Sequence, residues 1–116
     1  MKYKKIYWHD GNIKTISYHF PLSRREKSSI EMIMEIYKDH IASNPFDHKV
    51  VFPNVTELFT SIDFNEIVDN VGAGSIQWVY QKKIQIEGKK SYLYTINLCG
   101  GRFSIYSDKI KINRIR

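Results

Sequence analysis

Histidine is the side chain whose ordinary titration lies nearest neutral pH, and this 116-residue chain has four. His40 and His48 each follow an aspartate, as Asp39-His40 and Asp47-His48, and imidazole with carboxylate suits zinc or manganese. The two pairs stand eight residues apart across a proline-containing turn, and Asp39 and His40 equally suit the end of a helix, where a cation meets the negative pole of the dipole. No metal site is expected. His9 and His19, with Tyr7 and Lys5 on one strand face, hold the general acid, base and cation that RNA cleavage requires. Glu87-Gly88-Lys89 repeats a fragment of a nuclease metal site, but it falls in a turn. Gly72-Ala73-Gly74 precedes a strand rather than a helix, so it lacks the helix N-terminus that cradles phosphate. Cys99 has no histidine partner. No catalytic residue and no cofactor is assigned.

Charge carries more information. Residues 1–30 hold seven basic and two acidic side chains, residues 31–74 two and eight, and residues 75–116 nine and two. The abundance of Ile, Lys, Asn and Tyr suggests an AT-rich genome, which would raise lysine throughout the chain. Codon bias acts on every block alike, so it does not explain the segregation. The basic blocks attract anions. Lys82, Lys83, Arg102, Lys109, Lys111 and Arg114 supply charge for phosphates, and Tyr7 and Tyr106 supply faces on which bases stack. No helix-turn-helix, paired aromatic box or GXXG loop accompanies them.

These residues need elements to position them. Residues 3–9 and 13–20 read as strands joined at Asp10-Gly11-Asn12, a strong hairpin signal. Ser23 and Glu26 have capping-box spacing, and Ile30, Ile33, Met34, Tyr37 and Ile41 follow at helical spacing up to Asn44-Pro45. Lys49 to Phe52 reads as a brief strand. Val55, Leu58, Phe59 and Ile62, then Phe64, Ile67, Val68 and Val71, read as two short helices or one bent helix, the second capped by Asp63 and Glu66. Residues 75–115 read as a meander of three or four strands. There Ile76, Trp78, Tyr80, Ile84 and Ile86 face the core through an odd-length loop at Gly88-Lys89-Lys90, and Gly100-Gly101 forms a tight hairpin.

The expected fold is therefore α+β, in one domain spanning residues 1–116. A two-layer antiparallel sheet of about five to six strands, in the order ββα(β)αβββ, carries helices packed on one face. A single cysteine, an apolar run of three residues after the basic N-terminus and no stretch of membrane length place it in the cytoplasm. The expected function is binding, not catalysis: a basic sheet holding nucleic acid or a ribonucleoprotein. One alternative is a small inhibitor or regulator, of the mobile-element or phage type, that meets a protein through acidic helices (Glu31, Glu35, Asp39, Glu57, Asp63, Glu66, Asp69). The other is a small basic ribonuclease toxin. The charge split also fits a homo-oligomer.

Overall fold

The computed structural model describes residues 7–37, 45–65 and 75–115. Eight strands run through them: β1 Tyr7–His19, β2 Ser29–Tyr37, β3 Pro45–Phe52, β4 Glu57–Ile62, β5 Ile76–Ile86, β6 Lys89–Leu98, β7 Gly101–Ser107 and β8 Lys111–Arg114. They form two antiparallel four-stranded sheets, A in the order β1-β2-β3-β8 and B in the order β4-β7-β6-β5. This corrects the α+β expectation: among the described residues the fold is all β, with no helix over a sheet face. Phe64 and Asn65 alone have helical backbone, and the rest of the helix expected to Val71 lies outside the described residues.

Each correction has a local cause. The segment expected as the long helix is β2, because Ile30, Met32, Met34 and Ile36 alternate perfectly with Glu31, Ile33 and Glu35 as well as sharing helical spacing. Burial follows the period of two, and all four even residues are buried. The capping-box pair closes a loop instead. Ser23 O accepts the Glu26 N–H at 3.3 Å, and the Glu26 carboxylate accepts the Leu22 N–H and meets His19. Asp10-Gly11-Asn12 makes no hairpin. β1 runs straight through it, irregular in register between Tyr7 and Asn12, and Asn12 bridges across to Ser75 at the head of β5.

The two sheets are joined by a bent ribbon. β3 pairs with β8 from His48↔Arg114 to Val51↔Lys111, and β4 pairs with β7 from Glu57↔Tyr106 to Ile62↔Gly101. Hydrogen bonds bridge the corner: Asp108 N–H to Pro53 O and Thr56 N–H to Tyr106 O, both 2.9 Å. Asn54, at φ 50°, turns the chain there, and its amide reaches the Asp108 carboxylate. One antiparallel pair of chains thus serves both layers, a known way to turn a sandwich corner.

The core lies between the sheets. Ile30, Met32, Met34, Ile36, Val50 and Phe52 of sheet A meet Ile76, Tyr94, Ile96, Leu98, Phe103 and Ile105 of sheet B. Tyr94 packs edge-on to Phe52 at 5.5 Å, and its hydroxyl accepts the Ile110 N–H at 3.0 Å. At Gly101 a Cβ would stand 2.4 Å from Ser61 O, so β4 and β7 approach this closely only over glycine.

Candidate nucleic-acid interface

The outer face of sheet B is decided by one turn. The β5–β6 loop is the two-residue Glu87-Gly88, with φ of 51° and 79°, and Ile86 pairs with Lys89. These angles are those of a type I′ hairpin. An even loop, where an odd one was expected, inverts the faces of β5. Val79, Gln81 and Lys83 now pair with the core-facing Ile96, Tyr94 and Tyr92, while Trp78, Tyr80, Lys82 and Ile84 turn outward. A register shift between Ile76 and Trp78 returns Ile76 to the core.

This register has a cost. Gln81, turned inward, leaves its buried Oε1 without a hydrogen-bond partner among the described residues. An unsatisfied buried acceptor costs about 1–3 kcal/mol. Meanwhile Trp78 and Tyr80, which would fill a core, stand 43% and 65% exposed. Their rings meet edge-on at 6.0 Å.

Across the same face, Trp78 pairs with Asn97 and Arg102 with Asn97 and Ser61, while Tyr80 lies in the row of Thr95, Ser104 and Phe59. Lys82 lies in the row of Leu93, Tyr106 and Glu57. Aromatic rings therefore border a shallow centre of Ser104, Thr95 and Asn97. A polar chain crosses it: Arg102 Nε donates to Asn97 Oδ1 at 3.2 Å, and Asn97 Nδ2 donates to Gln77 Oε1 at 2.9 Å. Among the described residues no ion pair holds Lys82 or Arg102. At the hairpin tip Lys89 and Lys90 border a polar recess of about 240 Å³ with Lys27 and Asn54, where Glu87 and Asp108 also stand.

Three of the eight residues expected in the interface share this face: Lys82, Arg102 and Tyr106. Four of the others do not join them. Lys83 is on the core side of β5 near its open end, Lys109 is in the corner before β8, and Lys111 is on the outer face of sheet A beside Val51. Arg114 lies with its guanidinium 3.6 Å from the centre of the Phe46 ring. Tyr7 opens β1, and its side chain is outside the described residues. Trp78, Tyr80 and Phe59 were missed because their alternation or spacing read as core. Glu87-Gly88, with glycine second in a two-residue turn, was the signal for them.

Of the two histidine sets, Lys5, Asp39 and His40 lie outside the described residues, as do the side chains of Tyr7 and His9. His19 Nε2 meets Glu26, His48 Nδ1 lies 2.8 Å from Phe46 O, and Asp47 pairs with Lys14 at 3.3 Å. No group of three or more metal-binding side chains occurs among the described residues, and no helix among them is long and apolar enough to cross a membrane. Of the acidic side chains expected on helices, Glu31 and Glu35 are on β2, Glu57 is on β4 and Asp63 follows the end of β4, while Asp39, Glu66 and Asp69 lie outside the described residues.

Among the described residues the fold is a β-sandwich, and the outer face of sheet B is basic and aromatic. Compared with the models of known protein families and with curated proteins, the sequence matches none.

Proposed function

We propose that the chain is a non-enzymatic binding protein that holds single-stranded nucleic acid on the outer face of sheet B, in the cytoplasm. The observation that carries this reading is the inverted register of β5. Exposing Trp78 and Tyr80 while burying an unpartnered Gln81 acceptor works against stability, and such local violations concentrate at functional surfaces. Exposed rings beside Lys82 and Arg102 are what a single strand requires, with bases stacked on the rings and phosphates on the cations. Between the rings, Ser104, Thr95 and Asn97 carry short side chains that suit the flat face of a base. A duplex, whose bases are already stacked, gains only the cationic part.

The test is fluorescence of the purified protein titrated with a single-stranded pyrimidine oligonucleotide and with its duplex, at low and high salt. Quenching by the single strand, weakened by salt and lost in Trp78→Ala, is the expected result. No binding at low salt, with a clean protein absorbance ratio at 260 and 280 nm, rejects the reading in favour of a protein partner.

A further inference from the structure

Edge strands need protection from pairing with other chains, usually by lysines, bulges or shortness. Three of the four edges here have it. β8 is four residues long with Lys111 and Arg114, β5 has a register shift and carries Lys82 and Lys83, and β1 has two irregularities and Lys14. β4 has six residues in unbroken register with β7, without lysine, proline or bulge, and its Phe59 is 58% exposed. No strand pairs with its other edge among the described residues.

We infer that β4 pairs antiparallel with the β4 of a second copy of this chain, fusing two copies of sheet B about a two-fold axis. Parity identifies the groups that form the bond. Asp63 donates its N–H to Gly100 O, so the ladder's alternation turns the backbone groups of Phe59 and Ser61 toward β7 and those of Leu58 and Thr60 outward. Pairing Leu58 with the partner's Thr60, and the converse, forms about four hydrogen bonds and sets Phe59 against the partner's Phe59. Glu57 then faces the partner's Ser61, and beyond that short side chain lies the partner's Arg102. No ion pair holds Glu57 or Arg102 within one chain among the described residues. Placing Thr60 on the axis instead would set Glu57 against the partner's Asp63, a like-charge contact. Centred on Phe59 the strand is thus complementary to itself, which favours a second copy over an unrelated peptide. The inference does not depend on what the outer face binds.

Sedimentation velocity of nucleic-acid-free protein, from low micromolar to submillimolar concentration, should show a monomer–dimer equilibrium. Phe59→Lys, at an exposed position, should leave the thermal midpoint in place and yield monomer throughout. Glu57→Arg and Arg102→Glu should each weaken the dimer by about fivefold, as expected for exposed pairs lost twice by symmetry. The double variant should restore it. With Cys99→Ser, Phe59→Cys should oxidise to a covalent dimer while folded. A wild-type monomer at every concentration overturns the inference, as does a double charge swap no tighter than its single variants.

Discussion

Sheets A and B are built alike, each a three-strand meander completed by one strand from the bent ribbon, yet their outer faces differ. The strands of sheet A carry four basic and four acidic residues, and two of the acids are matched, Glu31 with Lys49 at 3.1 Å and Asp47 with Lys14 at 3.3 Å. The strands of sheet B carry five basic residues and one acid, with large rings in solvent. The charge segregation visible along the chain thus persists in space, as sheet against sheet instead of sheet against helix. A neutral face suits solvent; a basic aromatic face suits a ligand.

Four measurements would break or sharpen that contrast. Tyr94→Ala removes the ring that joins both sheets, and about 3–5 kcal/mol of stability should go with it, read by denaturant unfolding. A loss confined to one sheet's signals would mean that the layers fold separately. Trp78→Ala with Tyr80→Ala should weaken oligonucleotide binding by about 1–3 kcal/mol per stacked base. Unchanged affinity would remove the functional distinction between the faces. Gln81→Met should raise stability by up to about 1–3 kcal/mol by deleting the unsatisfied acceptor, and should leave affinity alone. A destabilised variant would show that Gln81 has a partner after all. Smallest of all, Lys49→Met should cost less than about 1 kcal/mol as an exposed ion pair is lost, with no effect on binding. A binding defect there would extend the active surface to sheet A.

Three strands of sheet B, β5 to β7, were legible in the sequence, whereas Val55, Leu58, Phe59 and Ile62 had the spacing of a helix and Glu57–Ile62 is the strand β4. The strands of the C-terminal meander were readable from alternation, and the second hairpin forms one step from its expected place, turning at Cys99-Gly100 with Leu98 paired to Gly101. Because the slip conserves parity, the same apolar face is kept, with Ile96 paired to Phe103 and Tyr94 to Ile105 instead of the expected Leu98–Phe103 and Ile96–Ile105 pairs. The first hairpin failed for the opposite reason: one residue fewer in its loop changed parity and turned four side chains over. In sheet A, β2 was hidden by degeneracy. Ile30, Met34 and Tyr37 satisfy a helical stripe, while Ile30, Met32, Met34 and Ile36 satisfy a strand, and only the partner strands β1 and β3 decide between them. On the proposed binding face, Lys82 and Arg102 were among the expected residues, but their aromatic neighbours depended on a register that composition does not encode.

The bent ribbon also sets the order in which the molecule can be made. It pairs residues 48–62 with residues 101–114, across half the chain, and in doing so supplies each sheet with one of its edges. As the chain leaves the ribosome, β1–β2–β3 can form early, but its fourth strand and the attachment of β4 must both wait for residues 101–114. Contacts so distant in sequence make folding slow, on the millisecond-to-second scale typical of sandwiches. Until they form, the unprotected edge of β4 is available to any neighbouring chain, so crowding of nascent copies is the stage at which this protein is most exposed to misassembly.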